Sequence, residues 1–301
     1  FVDAVVGEHE ASQPLRGFTL LLVQHQMGQH LGFVEALRSL GASEIVAVDV
    51  PYSANAGVAD VLDETAGFTV HRHDFTLAQD YNKYQLERVR RHLLDAVAGP
   101  RPVLVIDDGS YVVEALASLC DETGGVAAVV EQTARGVIKI RRDPRLQRVL
   151  QDVTVVNVAE SVCKKVIEPP FIAGNVTGFF LELLSGHIPA GASPALLPPG
   201  AAPLSPDTRV FVTGYGAIGK AVAMSAREDI GCHVAVEDVD PGAAARARAD
   251  GFPVADPGQQ FDYVFGCSGV PSFDPLTQHH LLAPNCVMVS ASSGNHELGL
   301  P

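Results

Sequence analysis

A glycine-rich turn is the segment whose residue types and spacing point most directly to chemistry. Residues 214–219 read Gly-Tyr-Gly-Ala-Ile-Gly and stand between an apolar run and a helix-forming stretch. In such a unit the first glycine makes a tight turn, the second lets the backbone approach a pyrophosphate, and the third lets helix and strand pack closely. The helix N-terminus adds free N–H groups for the phosphates. The turn therefore predicts a dinucleotide site formed by Gly214, Gly216, Ala217, Ile218 and Gly219.

An acidic pair follows the next apolar run, residues 233–237. Asp238 lies 24 residues beyond Gly214, close to where a carboxylate takes the ribose hydroxyls of a dinucleotide. Glu237 is its rival for that role. An acid here favours NAD over NADP, because it repels the 2′-phosphate of NADP. We therefore predict NAD as the cofactor and assign Ser268 and Gly269 to the same site.

Short apolar runs alternate with amphipathic stretches, a pattern typical of a parallel sheet covered by helices. Strands are predicted at 18–23, 45–48, 102–106, 126–130, 153–156, 209–213 and 233–237, and helices at 32–40, 84–97 and from the glycine turn to about 228. Six prolines without periodicity mark residues 187–207 as a linker or surface loop. We predict an α/β protein with a larger substrate domain over 1–186 and a Rossmann-type NAD domain over 208–301.

The bulk composition excludes several classes of partner. A formal net charge of −14 disfavours nucleic acid or an anionic membrane, because phosphate binding needs clustered Lys and Arg. Five scattered cysteines without a CxxC pair favour free thiols in a reducing cytosol over a disulfide framework or a zinc site. No apolar run approaches the roughly 18–20 residues of a membrane span. The expectation is a cytoplasmic α/β enzyme without metal, acting on a small molecule.

Several segments, in order along the chain, resemble the adenosylhomocysteinases. They are VQHQMGQH at 23–30, the Asp-Asp-Gly turn at 107–109, VEQTARGV at 130–137, NVAESVCKK at 157–165, GYGAIGKA from 214, and DVDP at 238–241. The resemblance covers roughly residues 20 to 297. It implies a homo-oligomer, dimer or tetramer, that holds NAD tightly. It also implies oxidation of a nucleoside ribose 3′-hydroxyl, removal of the 4′ proton, elimination at C5′, addition of water and final reduction of the ketone.

The resemblance assigns roles to four candidate catalytic residues. Lys164 matches the lysine that assists 3′ oxidation, and burial with neighbouring cations can lower the pKa of such an amine. Glu168 stands where the family has Asp, although an i,i+4 salt bridge with Lys164 is the alternative. Asp108 matches the aspartate near C5′, with local turn hydrogen bonds as the alternative. His25 matches the 5′-side histidine, or is a buried structural histidine.

Other positions keep or lose the family's contacts. Thr133 matches the first of three threonines that touch the cofactor. Gln132 replaces a ribose-binding glutamate and so keeps a hydrogen bond without the charge; Glu131 beside it is assigned to the same substrate site. Met27 and Gln29 replace the Thr and Glu of the adenine pocket.

The C-terminal stretch departs further from the family pattern. Ser293 falls where the family has a catalytic histidine, unless His296 takes that role. We therefore predict a divergent enzyme that oxidises the ribose 3′-hydroxyl of a nucleoside. The alternatives are a true adenosylhomocysteine hydrolase, a non-catalytic NAD-binding paralogue and, with less support, a hydroxy-acid dehydrogenase.

Overall fold

A computed structural model describes residues 2–76, 78–119, 124–184, 204–256, 258–291 and 296–299. Contacts divide the chain into two units, Phe1–Ser161 and Val162–Pro301. Each unit contains one parallel sheet whose strands alternate with helices, so the predicted α/β class is confirmed. No helix within the described ranges is both long and apolar enough to span a bilayer.

The first unit is built around a six-stranded sheet in the order β3-β2-β1-β4-β5-β6. Its elements are α1 (Val2–His9), β1 (Thr19–Gln26), α2 (Gln29–Ser39), β2 (Glu44–Ala54), α3 (Ala56–Asp63), β3 (Phe68–His71), α4 (Tyr81–Val97), β4 (Val103–Asp107), α5 (Tyr111–Ser118), β5 (Val126–Glu131), α6 (Ala134–Arg142), α7 (Pro144–Val149) and β6 (Thr154–Asn157). The strand order reverses between β1 and β4. Open α/β sheets bind ligands beyond the carboxyl ends of the strands at such a reversal.

The run of apolar residues in β1 explains why this strand is central. Successive side chains point to opposite faces of a sheet, so a strand covered on both faces reads as continuously apolar. Leu20 and Leu22 pack with residues of α2 and α3, whereas Leu21 and Val23 pack with residues of α4 and α5. All four leucine and valine side chains are at most 1% exposed. The polar end of β1 is thereby held rigidly at the edge of the sheet.

The second unit contains a four-stranded sheet in the order β10-β9-β7-β8. Its elements are a π-helical turn (Cys163–Ile167), α8 (Glu168–Leu184), β7 (Arg209–Thr213), α9 (Ala217–Ser225), a second π-helical turn (Ala226–Ile230), β8 (His233–Glu237), α10 (Pro241–Ala249), β9 (Phe261–Gly266) and β10 (Leu282–Ser290), with short 3-10 helices at His279–Leu281 and His296–Leu298. The order reverses between β7 and β9, which places the glycine turn after β7 beside the loop after β9.

Helix α8 groups with the second unit, although the sequence placed these residues in the first domain. The reason is packing: Ala173 of α8 belongs to the same apolar core as Val222 and Ala223 of α9. The Thr177 hydroxyl also lies 3.2 Å from that of Ser225. Residues 187–203 of the predicted linker lie outside the described residues, so the 187–207 boundary stays a prediction.

Two stacked histidines in the first unit give its stability a defined pH dependence. The rings of His71, at the end of β3, and His92, in α4, have centroids 3.6 Å apart. Burial, the neighbouring imidazole and Arg88 lower the pKa of His92 to about 4 from its usual 6.5. The folded state binds this proton more weakly than the unfolded chain does. The free energy of unfolding is therefore highest above pH 6.5 and decreases as the pH falls toward 4.

The His92→Gln substitution is expected to reduce the loss of stability at acid pH. Between pH 7 and pH 4 the wild type should lose about 2 kcal/mol more of its free energy of unfolding than the variant does. Urea unfolding at several pH values measures the difference, and His9→Gln in exposed α1 is a matched control. Equal pH dependence in the wild type and in His92→Gln would contradict the assignment.

Candidate functional site

His25 and Asp108 meet at the carboxyl edge of the first unit's sheet. His25 is near the end of β1 and Asp108 directly follows β4, so the strand reversal brings them together. The distance from His25 Nε2 to Asp108 Oδ2 is 3.2 Å, with 23% and 11% of the side chains exposed. Both predicted residues are therefore partly accessible and paired, an arrangement that can hold and transfer a proton.

The other nitrogen of His25 contacts a residue that the sequence analysis did not identify. Nδ1 hydrogen-bonds the hydroxyl of Ser53, in β2. An ionised Asp108 can only accept, so it favours the hydrogen on Nε2. The Ser53 hydroxyl, which can donate or accept and also donates to the Val50 carbonyl at 3.3 Å, contacts the ring from its other side. The only sequence signal for Ser53 is that it follows the predicted strand 45–48 by five residues.

Gln132 completes the cluster on the side of Asp108. Its amide nitrogen donates to Asp108 Oδ2 and to Gln24 Oε1, both at 3.1 Å. His30 Nε2 lies 3.2 Å from the same Gln24 oxygen. A glutamine here can donate to the carboxylate, whereas a glutamate would add a second negative charge beside Asp108.

Two buried amides on β1 also mark this edge as polar. Gln24 and Gln26 are 5% and 2% exposed. The amide nitrogen of Gln24 and both amide atoms of Gln26 have no hydrogen-bond partner among the described residues. Buried amides are normally paired with protein, water or ligand groups, so these two side chains can accept further polar partners.

Glu131 and Asp107 form a buried carboxyl pair next to the cluster of His25, Asp108 and Gln132. They are sheet neighbours at the ends of β5 and β4, and both are 0% exposed. Burial, together with the charge of Glu131, raises the pKa of Asp107 well above its ordinary value. Burial also raises the pKa of Glu131. Asp107 Oδ2 accepts from the Val112 N–H at 2.8 Å, in the first turn of α5.

Glu131 accepts five hydrogen bonds from the protein rather than presenting a free carboxylate. The donors are the Gly109 N–H (3.3 Å), the Ser110 N–H (2.7 Å) and hydroxyl (2.9 Å), and the Thr133 N–H (2.8 Å) and hydroxyl (2.6 Å). Gly109 and Ser110 both adopt positive φ, at 99° and 58°. The carboxylate thus stabilises the turn that carries Asp108.

This placement bears on two of the predicted ligand contacts. Thr133 also caps α6, since its hydroxyl accepts from the Gly136 N–H at 3.0 Å. A Cβ on Gly136 would lie 2.4 Å from Glu131 Cδ, so only glycine lets α6 approach the carboxylate. Glu131 and Thr133 are therefore already engaged in positioning loops. Met27 and Gln29, by contrast, are exposed at the start of α2 and available to a ligand.

The Glu131→Ala substitution is expected to lower the free energy of unfolding by about 3 kcal/mol, because it leaves buried donors without an acceptor. Denaturant unfolding monitored by circular dichroism measures this. Glu87→Ala, an exposed position on α4, is the control and should change the value by less than about 0.5 kcal/mol. A similar small effect at position 131 would show that the five contacts are not made in solution.

In the second unit, the three glycines of the turn differ in what surrounds them. Gly214 has φ +94°, and a Cβ there would lie 2.9 Å from the Ser268 backbone. A Cβ on Gly219 would lie 1.9 Å from the Gly214 carbonyl oxygen. A Cβ on Gly216 would meet nothing within 4 Å. Gly214 and Gly219 thus permit close packing, whereas the face of Gly216 is open to a ligand.

The start of α9 offers donors to such a ligand. Gly216 is the N-cap and supplies no side-chain cap, so the N–H groups of Ala217 and Ile218 begin the helix without one. An uncapped helix N-terminus with open space beside it binds anions through these N–H groups and the helix dipole. The arrangement fits the pyrophosphate of a dinucleotide.

The acidic pair after β8 divides into two environments. Asp238 Oδ2 accepts from the Tyr215 N–H at 2.5 Å, and Oδ1 accepts from the Asp240 N–H at 2.8 Å. It therefore ties the glycine turn to the start of α10. Glu237, the last residue of β8, is exposed. Both carboxylates remain candidates for the ribose hydroxyls.

A residue without a predicted role, Glu297, organises the loop after β9. It is 0% exposed. Its carboxylate accepts from the Gly269 N–H at 2.7 Å and from the Ser290 hydroxyl at 2.6 Å. Ser268 donates to the Val270 carbonyl at 2.6 Å, so both predicted loop residues have local partners. The available sequence signal was the match of Glu297 to a glutamate of the family pattern. Ser293 lies outside the described residues.

Lys164 and Glu168 form an ion pair in the second unit. The amine lies 2.6 Å from Glu168 Oε2, and the two side chains are 33% and 37% exposed. Lys164 lies in the π-helical turn before α8, and prolines follow at 169 and 170. Because proline lacks an N–H and crowds the carbonyl four residues earlier, a wider turn is favoured there, and π turns often occur at functional sites. The i,i+4 pairing foreseen as the structural alternative is present, with the amine still partly accessible.

Comparison with known proteins identifies relatives along most of the chain. No family model matches. The adenosylhomocysteinase of Thermotoga maritima is 25% identical over 307 residues, which cover 100% of this chain and 68% of that protein. That of Aeropyrum pernix is 29% identical over 246 residues, covering 80% and 51%. An uncharacterized protein of Mycobacterium tuberculosis is 25% identical, covering 98% and 54%. The chain thus spans from 51% to 68% of the length of these relatives.

Comparison with solved structures returns matches with TM-scores below 0.5. A dipicolinate synthase chain from Bacillus halodurans has a TM-score of 0.47 at 12% identity, covering 94% of this chain and 85% of that one. D-lactate dehydrogenase from Escherichia coli has a TM-score of 0.43 at 18% identity, covering 92% and 75%.

Proposed function

Because the chain is a divergent relative of the adenosylhomocysteinases, we propose that it binds NAD in its second unit and oxidises the ribose 3′-hydroxyl of a nucleoside. The observation that carries the cofactor assignment is the open face of Gly216 between two glycines that are closed by backbone contacts. In a turn with no ligand, the middle position could carry a side chain, because a Cβ on Gly216 would contact nothing within 4 Å. When bound, NAD supplies a hydride acceptor for the carbon that carries the sugar hydroxyl.

The residues proposed to hold the cofactor are those of the turn and its neighbours. The N–H groups of Ala217 and Ile218 would bind the pyrophosphate. Asp238, or the exposed Glu237, would accept from the adenosine ribose hydroxyls, and this negative charge favours NAD over NADP. Ser268 and Gly269 are assigned to the same cofactor.

Lys164 is proposed as the base for the 3′-hydroxyl. Its amine must be neutral to take a proton, so the ion pair with Glu168 has to open or pass the proton on. Glu168 then orients the amine and provides a carboxylate for the ribose. The 33% exposure of Lys164 leaves it accessible to such a substrate.

Asp108 and His25 are proposed to act on the 5′ side of the sugar. Their 3.2 Å pairing, with Ser53 contacting the other ring nitrogen of His25, provides a group that can deliver a proton to a leaving group or take one from water. Gln132 supports this role because its donated hydrogen bond fixes the position of the Asp108 carboxyl group.

The proposed substrate is a nucleoside other than adenosylhomocysteine. Gln132 binds a sugar hydroxyl without charge, and Met27 and Gln29 present a thioether and an amide where the family has a hydroxyl and a carboxylate. Because a hydrogen-bonding pocket discriminates strongly against a ligand that leaves its polar groups unpaired, these exchanges change the preferred base or 5′ group.

The test is direct analysis of the purified chain. Mass spectrometry of released ligands should detect NAD, and incubation with a nucleoside panel should produce the absorbance of reduced nicotinamide with at least one compound. Adenosylhomocysteine is included, and release of homocysteine at a high rate would identify a true hydrolase instead. Bound NAD that is never reduced would leave a non-catalytic NAD-binding protein and overturn the proposed reaction.

A further inference from the structure

A recess lined by three arginines opens at the amino edge of the first unit's sheet. It has a volume of about 750 Å³ and is formed by segments that precede β1, β2, β3 and β4. Arg16 comes from the segment before β1, Arg38 from the last turn of α2, and Arg101 from the connection between α4 and β4. The predicted catalytic residues of this unit stand at the carboxyl edge, so the arginine recess is a separate feature.

Close backbone contacts hold the arginine-bearing segments together. The Leu15 N–H donates to the Leu40 carbonyl at 3.0 Å, which ties the segment of Arg16 to the end of α2. Gly41 has φ +100°, and a Cβ there would lie 2.9 Å from Gln13 Cβ and 3.2 Å from the Arg16 nitrogen. Only glycine permits this approach. The Arg16 and Arg38 backbones are therefore brought together by the fold rather than by a chance surface encounter.

Arg101 is fixed from the other side. Its guanidinium donates to the Ser43 hydroxyl at 2.8 Å and lies 3.6 Å from Glu44 Oε2. The Ser43 backbone packs closely against Gly67, where a Cβ would lie 2.3 Å from the Ser43 carbonyl oxygen. The serine hydroxyl keeps the third arginine directed toward the recess. Glu44 forms an exposed ion pair with Arg101, and the same Glu44 oxygen also accepts from the Thr19 hydroxyl at 2.8 Å, so this carboxylate balances the charge of Arg101 only in part.

The charge balance of the recess is opposite to that of the chain. The protein has 35 acidic and 21 basic residues, yet the ten residues that line the recess include three arginines and no acid. Arg16 and Arg38 form no ion pair with a carboxylate in the part of the chain that the structure describes. Uncompensated arginines that converge on one cavity repel each other, and a bound anion removes that cost.

We propose that this recess binds a compact anion with two adjacent phosphate groups, as in pyrophosphate or a nucleoside diphosphate. Guanidinium groups bind phosphate oxygens through paired N–H donors, and three of them match a group that carries several negative charges. A cavity of about 750 Å³ admits such a molecule. The net charge of −14 disfavours a nucleic acid strand, because binding along a strand needs many clustered Lys and Arg.

The experiment is a calorimetric titration of the full chain with inorganic pyrophosphate in low salt. A parallel titration of the Gly216→Ala variant shows whether the glycine turn takes up the probe, because the added methyl group is expected to weaken binding at that turn alone. We expect saturable binding with a Kd below about 1 mM, weakened by added NaCl. The Arg16→Gln/Arg38→Gln variant should bind at least about tenfold more weakly. Arg90→Gln and Arg91→Gln together are the matched control, with the same charge change on α4, and should bind as the wild type does.

Further arms separate the possible sources of the anion. Tighter binding of a nucleoside diphosphate than of pyrophosphate assigns a nucleotide, whereas equal binding assigns the phosphates alone. Binding of a single-stranded oligonucleotide in preference to both would overturn the compact-anion proposal. Absence of saturable binding, or equal affinity in the wild type and the Arg16/Arg38 double variant, would overturn the site itself. Because none of these outcomes requires turnover, they are distinguishable from failure of the proposed reaction.

Discussion

The Gly219→Ala and Gly216→Ala substitutions are expected to have opposite consequences in the second unit. A Cβ on Gly219 would lie 1.9 Å from the Gly214 carbonyl oxygen, so α9 and the turn must separate, at a cost of about 3 kcal/mol or more in the free energy of unfolding. A Cβ on Gly216 meets nothing within 4 Å, so stability should change by less than about 0.5 kcal/mol.

Ligand binding separates the two positions further. Because the open face of Gly216 is where the pyrophosphate is proposed to approach, the Gly216→Ala variant should bind NAD at least about tenfold more weakly while remaining folded. Calorimetry with NAD and denaturant unfolding measure the two quantities on the same preparations. Unchanged NAD affinity in folded Gly216→Ala would show that no phosphate lies over this glycine.

The Lys164→Ala substitution is expected to reduce nucleoside oxidation by a factor of about 10² to 10⁴, the usual range for loss of a general base. NAD binding should persist, because the pyrophosphate contacts come from the glycine turn. The measurement is the rate of nicotinamide reduction with the nucleoside that the panel identifies. Lys165→Ala is the matched control: this neighbouring lysine is exposed, and removing it changes the charge equally.

The Glu168→Gln variant tests whether the ion pair matters to the reaction. If Glu168 orients the amine, the variant should lower the oxidation rate, because the amine loses the carboxylate that fixes its position. A helix ion pair with no other role would leave the oxidation rate unchanged. Retained activity in Lys164→Ala would exclude Lys164 as the base and show that another residue takes the proton.

Much of the fold could be predicted because its signals are local. The seven predicted strands coincide with observed strands, since buried parallel strands are continuous apolar runs that need no knowledge of their neighbours. The short β3 was missed because four residues carry little pattern, and β9 and β10 were not proposed from their sequences. The continuation of α9 as a π-helical turn was also not expected.

The same distinction between local signals and long-range contacts applies to the candidate site. The amino acid sequence alone predicted the tight turn at Gly214 and the close packing at Gly219, because both arise within one strand–turn–helix unit. The pyrophosphate contact at Gly216 stays a prediction, and the approach of the Ser268 backbone to Gly214 required the fold. It also placed His25 and Asp108 at strand ends that a parallel sheet must bring to one edge. Their pairing, however, required the strand order in which β1 lies beside β4.

Tertiary structure alone decided which carboxylates are buried supports. Glu131 and Glu297 look like any acidic residues in sequence, yet each lies at 0% exposure and holds a loop whose donors come from other segments. The physical reason is that the environment of a charged side chain is set by groups distant in sequence, which local pattern does not encode. The same holds for the arginine recess, where three residues far apart in the chain are joined by contacts that only folding creates.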